Sequence, residues 1–266
     1  IAMPPTQDLT QDALLEIVTI PCLSDNYAFL ILSPDGATAA LVDAPEAAPI
    51  QAELDRRGLT LSDILITHHH DDHIGAVSAL AGADTRVVGA KADIHRLPPL
   101  HLSVGDGDVF DLFGAEVRVM DVSGHTVGHI AYSRPAAKAV FTADSLMALG
   151  CGRLFEGTAQ QMWGSLSKLA ALPRETLVCS GHEYTQANAR FALSIEPENH
   201  DLVARAREID AARAAGRATV PSTLAEELAT NPFLRAGLPK MKATLGMDEA
   251  VDADVFAEIR RRKDVF

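Results

Sequence analysis

The sequence predicts an α+β domain followed by a small α-helical one. Two observations carry that expectation. Over the first two-thirds of the chain, short apolar runs alternate with turn residues and a few helical patterns. From about Tyr184 onward the chain becomes rich in Ala, Arg and Glu and is almost free of strand-like runs. Strands interspersed with helices, then helices alone, indicate a layered catalytic domain over 1–183 and a helical domain over 184–266.

The elements follow in order. Apolar runs at 28–32, 39–42, 64–66, 86–89, 116–120, 130–132, 139–141 and 177–179 read as strands. Between them, 49–57 has helical spacing with Gly58 placed to cap it. Residues 74–80 read as a second helix, and 158–171 as a third that Pro173 stops. In the last third, 201–215, 222–229 and 252–262 read as helices, with loops around Pro197, Gly216 and Pro232. Residues 1–12, IAMPPTQDLTQD, carry no periodicity and read as poorly structured.

Bulk properties bound the function. The 266 residues are 47% hydrophobic and 22% charged, which suffices for a core without staples. A net charge of −13 argues against a general nucleic-acid or anionic-membrane surface. Cys22, Cys151 and Cys179 are too few and too scattered for a disulfide framework or a Cys-only metal site. No apolar run reaches the ~18–20 residues of a membrane span, and no charged-then-apolar signal opens the chain. A cytoplasmic protein is therefore expected, with a monomer as the default.

The stretch THHHDDH, residues 67–73, is the strongest local signal. It follows a buried-looking strand and precedes a helical pattern. Alternate side chains on an extended segment face one way, so His68 and His70 can grip one ion while His69 points elsewhere. As the chain turns into the helix, Asp72 and His73 reach a second position. Asp71, like His69, should face away. Imidazole with carboxylate suits zinc, iron or manganese. Three further candidates each sit just past an apolar strand: His125 in SGHT, Asp144 in FTADS and His182 in CSGHEYT. With Asp144 bridging, one ion receives His68, His70 and His125, and the other Asp72, His73 and His182. Two divalent ions, zinc first, are the expected cofactor. His95, His101, His129 and His200 read as ordinary surface or core histidines.

Through THHHDDH, SGHT, Asp144 and GHEYT, residues ~15–183 resemble the metallo-β-lactamase superfamily. That resemblance implies an αββα sandwich with a dinuclear site at one edge. The stretches CLSDNYAFLI, GCGRLFEGT, GHEYT, NPFLR and RRRKD extend the likeness over nearly the whole chain, and resemble the hydroxyacylglutathione hydrolases (glyoxalase II). The resemblance implies hydrolysis of S-D-lactoylglutathione and related glutathione thioesters. It also implies glutathione contacts from Arg153, Tyr184, Arg260 and Lys263, with Phe155 where many members carry tyrosine. Ser123 and Ala143 stand where proline and glycine are common.

The chemistry can be argued from the residues. A metal lowers the pKa of bound water to roughly 7, and a second metal polarises the carbonyl. Asp72 is placed both to ligate and to accept a hydrogen bond from the nucleophile. The leaving thiolate has a parent pKa near ~8.5, so no general acid is required. Because the whole protein is anionic, Arg153, Arg260 and Lys263 must supply a local basic patch, and binding should weaken with salt. Two rivals remain. One is a sulfur dioxygenase using a single iron and glutathione persulfide, which metal stoichiometry separates. The other is an inactive metal-binding protein, which activity separates.

Overall fold

A computed structural model describes residues 16–266, so the reading of residues 1–12 lies outside the described part. The chain begins β1 (Ile17–Cys22), β2 (Asn26–Leu32), β3 (Thr38–Val42), α1 (Ala47–Arg57), β4 (Thr60–Leu65), α2 (Asp71–Ile74), α3 (Val77–Leu80), β5 (Arg86–Ala90) and β6 (Leu102–Val104). It continues β7 (Val109–Leu112), β8 (Ala115–Asp121), β9 (Ile130–Arg134), β10 (Ala139–Ala143), β11 (Leu146–Met147), β12 (Gly150–Cys151), α4 (Ala159–Ala170) and β13 (Leu177–Ser180). The tail comprises α5 (Thr185–Ile195), α6 (His200–Ala214), β14 (Ser222–Thr223), α7 (Leu224–Thr230), α8 (Pro239–Leu245) and α9 (Asp252–Asp264).

Two sheets result, ordered β1-β2-β3-β4-β5-β6 and β14-β13-β10-β9-β8-β7, with β11 and β12 pairing as a separate hairpin. Strand β2, NYAFLIL, is buried at every position, as a strand covered on both faces must be. In β8, Val117 and Val119 point inward while Glu116 and Arg118 point out. Phe29, Ile31, Val42 and Leu65 from the first sheet meet Val119, Tyr132 and Phe141 from the second in a shared core. The outer face of the first sheet packs Leu30, Leu41 and Ile64 on Ile50 and Leu54 of α1. The outer face of the second packs Val140 and Val178 on Met162 and Leu166 of α4 and on Phe256 and Ile259 of α9. The layers run α/β/β/α, the sandwich that the resemblance implied, with a helical tail.

Gly58 caps α1 at φ 67°, and a reciprocal Thr158–Gln161 capping box opens α4. Several expectations need correction. The helix expected over 74–80 is two short turns, because the chain breaks at Ala76, whose nitrogen donates to Ala44 O instead of back along the helix. The helix expected from 222 starts two residues later. Ser222 and Thr223 add an edge strand to the second sheet, and Thr223 caps α7. The tail is thus tied to the sandwich by a strand. Strand β1, containing Pro21, and the short β6, β7, β11 and β12 were not read from the sequence. A proline demotes a strand reading, and runs of two to four residues carry no periodicity. Helices α5 and α8 were likewise passed over.

Candidate metal centre and substrate cavity

The loops leaving β3, β4, β8, β10 and β13 all emerge at one edge of the sandwich. The β1–β2 turn arrives at the same edge. There the backbone nitrogen of Tyr27 donates to Gly181 O, and Asn26 forms a bridge with His182. Sequence-distant groups therefore converge. His68, His70 and His125 form one cluster of ring nitrogens, and Asp72, His73 and His182 form another. Asp144 lies between them: its carboxylate is 3.4 Å from His125 Nε2, 3.4 Å from His73 Nε2 and 3.3 Å from His182 Nε2.

Four of the five imidazoles, all but His70, are oriented from behind, which fixes where their lone pairs point. His73 Nδ1 donates to Asp43 Oδ2 at 2.8 Å. Thr67 donates to the same carboxylate through its backbone nitrogen and hydroxyl, so its oxygen is left to accept from His68 Nδ1 at 3.0 Å. His125 Nδ1 donates to Arg153 O and His182 Nδ1 to Asp25 Oδ1, both at 2.8 Å. The opposite nitrogens must then carry lone pairs into the centre. His68 Nε2 and His125 Nε2 both face His70 Nδ1, at 3.2 and 3.1 Å. His182 Nε2 faces Asp72 Oδ2 at 3.4 Å. Buried acceptors aimed at acceptors are costly. Among the described residues, His73 Nε2 and Asp144 Oδ1 are buried with no hydrogen-bond partner at all. Cations between these atoms satisfy every one of them, and two groups of His and Asp fit a dinuclear site. Asp43 also lies close to His68 and His73, but it does so as the acceptor behind them.

The electrostatics agree. Burial pulls the His182 imidazole down, yet the Asp144 and Asp72 carboxylates outweigh it and hold it at about 10. Burial would raise the Asp144 carboxyl, but His73 and His182 keep it well below the usual carboxylate range. The His182 contact, against burial, keeps Asp72 ionised as well.

Other histidines stand where their surroundings put them. His69 turns away to Asp93 at 3.0 Å, and His101 accepts from the Val87 backbone. His129 is fully buried and stacks on His68, centroids 4.5 Å apart at 10°. Burial, then His125, pushes it down to about 3, so it is a neutral wall behind His68. Sequence reasoning missed this role and those of Asp43, Asp25 and Asn26. Asn26 Nδ2 holds the Asp72 carboxylate at 2.9 Å. Their one sequence signal is position: Asp43 directly follows β3 as Asp144 follows β10, Asp25 closes the β1–β2 turn and Asn26 opens β2.

The centre opens into a cavity of about 510 Å³. Arg153, Phe155, Tyr184, Arg260 and Lys263 all line it, with Met147 and Asn188. Phe155 is 64% exposed and leans over the His125 and His70 rings at 5.2 and 5.8 Å. Tyr184, 40% exposed, stacks flat on His182 at 4.6 Å. Arg260 is only 5% exposed and already committed, to Cys151 O at 2.8 Å, to Asp264 and to the face of Phe233. Lys263 lies over Phe191 and Phe266. Burial, then Arg260, Arg153 and Arg190, lowers its pKa. Cys179 is core, as expected, but Cys151 is the cysteine that lines the cavity. Burial pushes its thiol up to about 11, so it is no nucleophile at neutral pH.

Comparison with known proteins matches both halves of the chain. The metallo-beta-lactamase superfamily model covers residues 24–182, and the hydroxyacylglutathione hydrolase C-terminus model covers residues 183–266. A protein of Ruegeria pomeroyi named hydroxyacylglutathione hydrolase is 67% identical over 253 residues, 95% of this chain and 99% of that one. The crystal structure of ETHE1 from Myxococcus xanthus superposes with a TM-score of 0.61 at 24% identity, over 94% of this chain and 99% of that one, a likeness of fold. TTHA1623, crystallised in a di-iron-bound form, gives 0.54 at 29% identity over 63% of this chain and 92% of its own.

Proposed function

The chain belongs to the hydroxyacylglutathione hydrolase family of the metallo-β-lactamase superfamily and hydrolyses S-lactoylglutathione, and from this we propose how its residues divide the work. His68, His70 and His125 would hold one divalent cation and Asp72, His73 and His182 the other, with Asp144 placed to serve both. The observation that carries this reading is the convergence of seven His and Asp side chains at one end of a cavity whose other end is cationic. Zinc is the first assignment, with iron and manganese compatible with the same ligand types. When bound, the pair supplies an acidified water and polarises the thioester carbonyl.

The protein's own groups do the rest. Asp72, kept ionised by His182 and steadied by Asn26, accepts a hydrogen bond from the attacking water and fixes its direction. Phe155 covers the His125 side and excludes bulk water from the reacting carbonyl. Tyr184, flat against His182, forms the opposite wall. Arg153 and Lys263 meet the glutathione carboxylates. Arg260 shapes the floor through Cys151 and adds its charge from below. The thiolate leaves without protonation, since a free thiol of this type titrates near ~8.5. The D-lactoyl ester and related glutathione thioesters are the proposed substrates.

Three free, buried cysteines suit a reducing compartment, which supports a cytoplasmic place. Among the described residues no helix is long and apolar enough to cross a membrane. The test follows loss of thioester absorbance with S-D-lactoylglutathione and measures metal on the same sample. Rapid turnover with about two ions per chain is expected. Negligible turnover in a two-metal sample would overturn the substrate, and turnover with one ion would overturn the ligand division.

A further inference from the structure

The β11–β12 hairpin has almost no sheet to belong to. Its two strands pair only with each other, Leu146 with Cys151 and Met147 with Gly150, yet all six residues are buried. Buried backbone groups need partners; Thr142 of β10 donates to Leu146 O, and the helical tail provides the rest of the side-chain partners. Asn188 of α5 donates to Ala148 O at 3.0 Å. Glu227 of α7 accepts from the Leu149 nitrogen at 2.9 Å. Asn231, just past α7, donates to Met147 O at 3.1 Å and to Gly150 O at 3.0 Å. Arg260 of α9 donates to Cys151 O at 2.8 Å. Asn231 and Glu227 also bond each other at 3.0 Å, and Glu227, fully buried, is neutralised by Arg205 and bonded by Ser222. This explains the NPFLR stretch, which lies outside the substrate contacts.

On its other side the hairpin abuts the metal centre. A Cβ at Gly152 would stand 2.0 Å from the Asp144 carbonyl and 2.8 Å from His125 Nδ1. Gly152 donates to Ser145 O, next to Asp144, and the following Arg153 carbonyl orients His125. Phe155 N donates to the His125 carbonyl. A hairpin packed this closely cannot shift without moving both a terminal ligand and the bridge.

We propose that Glu227 and Asn231 are positioning residues for the metal centre: the tail, through the 146–151 hairpin, holds the Arg153 carbonyl that aims His125 and the backbone that carries Asp144. The tail is thereby part of the catalytic machinery as well as the source of cations for glutathione. This inference rests on the ligand division above.

The experiment compares wild type, N231A and R235A, each loaded with zinc and challenged with a chelator. Arg235 pairs with Glu196 at 2.7 Å inside the tail and bonds nothing in the hairpin, so R235A loosens the tail alone. N231A is expected to hold its metal about 10- to 100-fold more weakly. Its kcat should fall while KM for the thioester stays near wild type. R235A should keep both ions. Wild-type retention by N231A overturns the inference. So does metal loss in N231A and R235A that simply follows their loss of thermal stability, or a rise in KM at unchanged kcat. A wild-type protein with fewer than two ions would overturn the ligand division itself, and this inference with it.

Discussion

Asp43 and Ala143, both beside the centre, occupy the left-handed backbone region, at φ 57° and 42°. Ala143 stands where the family commonly has glycine, and its conformation supplies the reason. A side chain there costs about 1–2 kcal/mol, against about 0.5–1 kcal/mol of chain entropy that glycine loses on folding. A143G should therefore gain up to about 1 kcal/mol, read as a higher urea midpoint at unchanged slope; a loss would show that Ala143 packing matters more. Asp43 accepts from Thr67 and His73 and, through Thr67, steers His68, so one carboxylate serves both ions. D43N should weaken metal binding about 10- to 100-fold by chelator competition, and undiminished affinity would show that the imidazoles hold their aim without it.

The loop 123–129 that carries His125 is clamped to the segment after Arg153. Glu156 accepts from the Val127 nitrogen at 2.7 Å and pairs with Arg96, which also donates to Val127 O and Asp93. The Arg96 bond outweighs burial and lowers Glu156 from 4.5 to about 2. The folded state thus binds this proton less readily than the unfolded chain, so the clamp stabilises fully above pH 4.5 and fades as pH falls through about 2. The stability gap between wild type and E156Q should narrow from pH 5 to pH 2 in urea titrations, and a constant gap would assign Glu156 no charged role. At this scale the sequence was informative wherever function needs a strand end. His125, Asp144 and His182 each follow an apolar run long enough to read, and THHHDDH marks itself by density. Residues that act through geometry alone left no such trace. Asn26, Asn188 and Asn231 are common turn or helix residues until the fold brings a carbonyl or carboxylate to each. The hairpin they serve is too short for periodicity.

The whole molecule carries −13, yet its substrate is an anion. Arg153, Arg260 and Lys263 gather on one wall, where burial first and the neighbouring arginines second lower the Lys263 pKa. KM should rise with salt as these contacts are screened. K263A should raise KM about two- to fivefold at low salt and flatten the salt response; parallel responses would place the carboxylate contacts elsewhere. The hairpin has a further consequence, in the order of events. Its bonds to Glu227, Asn231 and Arg260 span 78 to 109 residues. A chain made from its N-terminus presents His68 early and His182 late, and the groups that steady His125 only near its end. If the tail positions the centre as proposed, tight metal retention is completed only once the last helix has been made. Until the last helix arrives, the nascent sandwich is an assembled vessel without a finished rim.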